Sequence, residues 1–228
     1  LFRSASISFG QDIRIKSVFV EGVTEVRKED LAYAREMGYA VKLLGIAKLD
    51  DKNRAEVRVH PTLIPEDATL AAVSDVYNAV EVVGDPLGPQ MLYGQGAGWG
   101  STATAILGDV MEIASTIGTG GRPHAGFRIP VKENNLKPME DLKTDYYIRM
   151  LLKDVPGMLS KVSRVFGDEK IGIRSVLQKT SNPGKHAVTI FITHTAREGN
   201  IQKALKTLKR RRLCKEKPFV LRVEEETE

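Results

Sequence analysis

The sequence holds one cysteine, Cys214. That excludes a disulfide framework and a cysteine metal site, and it fits a reduced, cytoplasmic setting. No apolar run approaches the ~18 residues of a membrane-spanning helix. The first ten residues, LFRSASISFG, are too short and too polar for the apolar stretch of a secretory signal. No membrane partner is expected. The four histidines, His60, His124, His186 and His194, show no short metal-ligand spacing, so no metal is expected. The first residue is not methionine, as in a fragment or a processed product.

An excess of charge of one sign is also nearly missing, with a net +5 over 228 residues. What excess there is gathers late: from Ile201 onward nine Lys/Arg stand against five Asp/Glu, with a dense run at Lys209–Arg212. No aromatic residues are interleaved there to stack on bases, and cations suit the last turn of a helix. No nucleic-acid partner is expected.

What remains is ordinary globular material, 42% hydrophobic and 28% charged. The length suffices for one large or two small domains, each with its own core. Residues 1–9 read as the tail of a helix. Ile13, Ile15, Val18 and Val20 alternate with polar neighbours, which predicts a strand. Lys28–Met37 carries Leu31, Ala34 and Met37 on one side and stops at Gly38, a helix with its C′ glycine. Ala40–Leu49 is nearly continuous in apolar residues and reads as a buried strand. Glu56–His60 alternates and ends at Pro61, the second strand of a hairpin. Asn78–Val83 predicts another strand, Gly84–Gly88 a turn, and Met91–Tyr93 a short extended piece.

Glycines then fall at 94, 96, 98 and 100, directly before a helical pattern. Ser101 or Thr102 can cap that helix, and Ala103, Ile106, Leu107, Val110 and Ala114 form its apolar face. Gly108 in its middle predicts close packing. A dinucleotide fingerprint needs a strand before the glycines and an acidic residue about 20 positions later in a βαβ unit. No such unit follows, so the glycines alone do not identify one. Residues 119–143 have the composition of a linker.

Past the linker the order becomes βαββαβ, the ferredoxin-like split. Its strands are Tyr146–Leu152, Ile171–Gln178, Ala187–Thr193 and Phe219–Val223. One helix is marked by Leu159, Val162, Val165 and Phe166, the other by Ile201, Ala204, Leu205 and Leu208. Ser181–Gly184 predicts a hairpin turn. The turn Lys153–Gly157 opens a helix whose free amides and dipole suit a carboxylate; read as a turn alone, Asp154 could simply cap it, with Pro156 at its first turn.

This second unit resembles an ACT domain over about residues 144–225. The resemblance rests on YIRMLLKDVPG with its D-x-P-G turn, the strand IGIRSVLQ and the later AVTIFITH. It implies an amino-acid effector, threonine, held by Asp154, Pro156, Gly157, Met158, Ser175 and Gln178. Asp154 would accept the α-ammonium, and Ser175 and Gln178 would read a side-chain hydroxyl. Such modules also pair with one another without any ligand.

The first unit resembles homoserine dehydrogenase over residues 1 to about 117. The motifs are VEGVT, EDLAYAREMGY, VKLLG, HPTLIP, NAV and YGQGAG. The resemblance implies an α/β (α+β) fold, a mixed-sheet substrate and dimerisation domain over 1–118, then the linker 119–143 and the ACT domain 144–228. It implies NAD- or NADP-dependent interconversion of L-homoserine and L-aspartate 4-semialdehyde in threonine, methionine and isoleucine biosynthesis, by a homodimer or homotetramer. Gly96, Ala97, Gly98 and Thr102 would contact the cofactor late in the catalytic region. The family's lysine general acid/base falls one residue before Leu1, so no catalytic residue is assigned within the chain, and the chain alone is expected to be inactive. Lys42 interrupts an apolar strand and is given no catalytic role. The alternative is a non-catalytic module that senses an amino acid and oligomerises.

Overall fold

The computed structural model describes residues 2–120, 132–179 and 184–224. They form two compact units, residues 1–66 with 131–228 and residues 67–130. The family segments inferred from sequence are cut differently, because a strand of the first segment pairs with the last strand of the second. The hairpin turn expected at 181–184 lies mostly outside the described residues, as does His124.

The first unit begins with α1 (Phe2–Phe9). The alternation at Ile13–Val20 does not yield a full strand. A 3-10 turn occupies Ile15–Ser17, and only β1 (Phe19–Val20) pairs. The alternation is real, but Ile15 is exposed and Ile13 buries into a small cluster with Ala5, Ala55 and Val57. Next comes α2 (Lys28–Glu36), closed by Asp30, whose carboxylate accepts the Arg27 N–H at 2.8 Å. β2 (Tyr39–Leu49) and β3 (Ala55–Pro65) pair antiparallel along their whole length, Tyr39 opposite Pro65 and Leu49 opposite Ala55.

Two expectations are corrected here. β2 is an edge strand and only Ile46 in it is buried; an apolar run marks a strand without saying how many neighbours it has. β3 does not stop before Pro61 but runs on to Pro65 and is the buried one. On the side away from β2, β1 pairs with Arg58 and Val59, and another strand pairs with Thr62 and Leu63. Pro61 falls between these two segments, where its missing N–H takes no bond from the ladder.

The second unit holds β4 (Tyr77–Gly84) and β5 (Gly88–Gln95), a hairpin as expected, and α3 (Trp99–Gly118). Tyr77 and Tyr93 stack across the hairpin at 4.8 Å. None of the twenty residues of α3 is buried. Its apolar face has no partner among the described residues, and nothing crowds Gly108, contrary to the close packing expected there.

The chain re-enters the first unit along a strap. Ala55 N donates to Asn135 O and Lys137 N to Ala55 O, so this stretch is tied to the start of β3. Then follow β6 (Lys143–Thr144), β7 (Tyr146–Lys153), α4 (Met158–Asp168), β8 (Ile173–Leu177), β9 (His186–Thr193), β10 (Ala196–Arg197), α5 (Glu198–Arg210) and β11 (Phe219–Val223). The main sheet runs β1-β3-β11-β7-β9-β8, with β2 on β3. The βαββαβ order is therefore present, and β11 is its junction with the first segment, parallel to β3 at Arg222–Thr62 and Val223–Leu63. α4 and α5 cover one face, with Phe166 set edge-on against Phe191. Ala34 of α2 covers the other, against Tyr147, Ile190 and Leu221.

Candidate functional site

Three places carry polar chemistry. The first is the glycine stretch. Gly96 and Ala97 donate their N–H groups to Val76 O at 3.0 and 3.2 Å. A Cβ on Gly96 would fall inside the Asn78 carboxamide, so its bareness already serves the approach of Asn78. Gly98, at φ +116°, is the N-cap of α3 and offers it no side chain. The capping expected of Ser101 or Thr102 is not made. Both hydroxyls turn back instead, Thr102 Oγ1 to Gly98 O at 2.9 Å and Ser101 Oγ to Gly98 O at 3.1 Å. Hydroxyls inside the first turn reach a carbonyl behind them more easily than an amide ahead. The first amides of α3 are thus left without a side-chain cap, an arrangement that suits an anionic group.

The second is the turn between β7 and α4. Leu152 to Leu159, with Gln178 of the neighbouring strand end, line a pocket of about 510 Å³. Gly157, at φ +80°, is the N-cap of α4, and no side chain caps that helix. The left-handed conformation favours glycine there. Asp154 is not the cap. Its Oδ1 accepts from Gln178 Nε2 at 3.3 Å, and Gln178 Oε1 accepts from Thr189 Oγ1 at 3.1 Å. The fold so brings together Asp154, Pro156, Gly157, Met158 and Gln178 around uncapped amides. Ser175 is not among the pocket's walls. It sits on β8 opposite Ile192, after a bulge between Ile173 and Ser175.

The third was not legible in the sequence. The polar residues of β3 that alternate as if facing solvent, Glu56, Arg58, His60 and Thr62, are all buried. Arg58 donates to Glu56 at 2.9 Å, to Glu224 at 2.7 Å and to His60 Nε2 at 3.0 Å. Beside it Arg222 donates twice to Glu198 at 2.8 Å and once to Glu21 at 2.7 Å. Burial pushes the Glu56 and Glu198 carboxyls up, but Lys137 and Arg58 for the one and Arg222 for the other outweigh it, and both lie below the ordinary value. Across the sheet, Asp30 accepts from Tyr147 and Arg149, both at 2.7 Å. Arg27 meets Glu216 with two bonds of 3.0 Å, and Lys179 pairs with Glu36. These contacts join the first family segment to the second.

His60 is held neutral. A guanidinium only donates, so Nε2 accepts from Arg58 and the proton sits on Nδ1, toward Pro61 O at 3.1 Å. Burial and the Arg222 charge lower its pKa to about 4. Below the unfolded value of about 6.5 the unfolded chain takes up a proton that the fold refuses. Stability contributed by His60 is present above pH 6.5 and lost as pH falls toward 4, by about 3 kcal/mol. Urea midpoints measured across that range should show the slope, and His60→Gln should flatten it. An unchanged slope in the variant would place the effect on other groups.

Two family profiles match the chain, homoserine dehydrogenase over residues 4–111 and the ACT domain over residues 146–212. A homoserine dehydrogenase of Helicobacter pylori is 36% identical over 96% of this chain and 51% of its own length. One of Synechocystis sp. is 38% identical over 96% of this chain and 52% of its own length. The crystal structure of a homoserine dehydrogenase from Thiobacillus denitrificans superposes with a TM-score of 0.83 at 33% identity, over 98% of this chain and 51% of that one. The chain spans about half the length of the curated relatives it matches.

Proposed function

The chain belongs to the homoserine dehydrogenase family and carries an ACT domain, and from that premise we propose that it serves the interconversion of L-homoserine and L-aspartate 4-semialdehyde under feedback by threonine. The observation that carries this reading is the co-linear likeness to relatives of that name over 96% of the chain, across both segments. The pathway is then threonine, methionine and isoleucine biosynthesis, in the cytoplasm. No described helix is long and apolar enough to cross a membrane.

The cofactor of the family is a nicotinamide dinucleotide, NAD or NADP, which when bound supplies the hydride exchanged with the carbinol carbon. On this chain the residues that fit it are those at the start of α3. Its uncapped amides would receive an anionic part of the cofactor, and Gly98 lets backbone come close without a Cβ. Gly96, Ala97 and Thr102 have their polar groups engaged within the loop, so their part is to hold its shape. The exposed apolar side chains of β4, β5 and α3, among them Val80, Leu92, Leu107 and Met111, support a homodimer or homotetramer.

Threonine is assigned to the pocket at Asp154. Its carboxylate would take the amides at the start of α4, its ammonium the Asp154 carboxylate, and its hydroxyl Gln178. In the natural gene product, threonine should inhibit homoserine-dependent reduction of the nicotinamide cofactor. Asp154→Ala should weaken threonine binding, measured by calorimetry, about tenfold or more, the cost of one charge-assisted hydrogen bond. Absence of homoserine-dependent reduction would remove the enzymatic reading, and tight threonine binding by the Asp154 variant would move the effector elsewhere.

A further inference from the structure

A second cleft, of about 320 Å³, lies beside the start of β3 and the end of β11 and is assigned no role above. Its walls come from both family segments. Lys48 stands on β2, Glu56 and Arg58 on β3, Lys137 on the strap, Lys143 on β6, and Glu224 just after β11. The floor is a ladder of alternating charge. Lys137 Nζ donates to Glu56 at 2.7 Å, Arg58 bridges Glu56 and Glu224, and Lys48 closes on Glu224. Every carboxylate of the ladder has two cations. Lys143 is different, for its ammonium has no carboxylate partner among the described residues. The remaining acid in the cleft, Asp145, is paired with Arg174, which lies outside the lining, and accepts from Thr195 Oγ1 at 2.7 Å. With Asp145 neutralised from outside, four cations face two carboxylates among the described residues, a surplus there of two positive charges.

Such a surplus, gathered in one cleft, attracts an anion more than the same charges spread singly over a surface. Each carboxylate of the ladder is already neutralised by two cations, so a ligand ammonium would add to a positive surplus, which disfavours a zwitterion. The volume is at the low end of small-molecule sites. We propose that this cleft binds a compact dianion of oxygen, a phosphate or a short dicarboxylate, held between Lys143, Lys48 and Lys137. The site is separate from the Asp154 pocket and shares no residue with it. An ion seated there would touch β2 and the strap from one side and the Lys143–Asp145 segment from the other, and so stiffen the seam between the two segments.

The test uses the 228-residue chain at fixed ionic strength, with inorganic phosphate and succinate as probes and chloride as the balancing ion. Calorimetry should show saturable binding of at least one of the two, with a matching rise in the thermal midpoint. Phosphate alone would name the phosphoryl class, succinate alone the dicarboxylate class, and both a site read by charge only. Lys143→Gln should weaken binding about fivefold and Lys143→Glu abolish it. Lys143 is exposed and its ammonium makes no ion pair among the described residues, so both variants should fold, checked by an unchanged midpoint without anion. Asp154→Ala should bind the probe like the parent chain, whatever it does to threonine. Absence of saturable binding, or binding that Lys143→Glu leaves intact, would overturn the proposal.

Discussion

Replacement of Asp30 by alanine should destabilise the chain by about 3–5 kcal/mol, the cost of breaking a buried ion pair from one side. Asp30 is fully buried, and its two oxygens serve three donors, the Arg27 amide, the Tyr147 hydroxyl and the Arg149 guanidinium. Removing it strips the cap of α2, which costs about 1 kcal/mol by itself. It also leaves Arg149, 5% exposed in its side chain, with Glu216 at 3.9 Å, a backbone carbonyl and the Phe219 ring in place of a close carboxylate. A small domain holds about 5–15 kcal/mol in all, so the loss should be plain in a urea titration. Combining Asp30→Ala with Arg149→Met should recover a good part of it, since no charge is then stranded. A loss below 1 kcal/mol in the single variant would mean that water reaches the site.

Arg222→Met should have an effect of similar size but a different pH dependence. Glu198 and Arg222 are 3% and 2% exposed in their side chains. Without the guanidinium, the burial that already pushes Glu198 upward loses its main opponent, and the carboxyl should take up a proton more readily than an ordinary glutamate. The variant is then about 3–5 kcal/mol less stable at high pH, and the deficit should narrow as pH falls and Glu198 becomes neutral. Adding Glu198→Gln should remove that narrowing. A deficit independent of pH would show that lost packing of Arg222 over the Phe19 ring, 4.9 Å away, outweighs the stranded charge.

These two networks explain what could and could not be read beforehand. The turn at Asp154 was legible because its parts lie within a few residues, and a tight turn is a local object. The helices α4 and α5 were legible from their stripes, and Val162, Phe166, Ile201 and Leu208 are all buried. The strand β3 was seen but misjudged. Alternation of Glu56, Arg58 and His60 with valines says that one face is polar; it cannot say that the polar face is covered. The covering partners, Glu224 and Arg222, lie some 160 positions away. Asp30 likewise meets Tyr147 and Arg149 across 117 and 119 residues. At the glycine stretch the resemblance implied a cofactor contact at Gly96, and the structure adds what no spacing told, that a Cβ there would fall inside the Asn78 carboxamide. Ser175 lies outside the lining of the Asp154 pocket, beside a bulge that shifts the strand register, and bulges leave little trace in a short sequence window.

The parallel pairing of β3 with β11 has a consequence for synthesis on the ribosome. Leu63 finds its neighbour only at Val223, so one side of β3 has no strand beside Thr62 and Leu63 until some 160 further residues have emerged. At 5–20 residues per second that wait lasts about 10–30 s. During it, a strand whose hydrogen-bonding edge is open can pair with another nascent chain on the same messenger. Pro61, placed beside the unpaired interval, interrupts that edge with a position unable to donate. The residue that marks the gap in the finished sheet is also one that makes the waiting strand a poorer template.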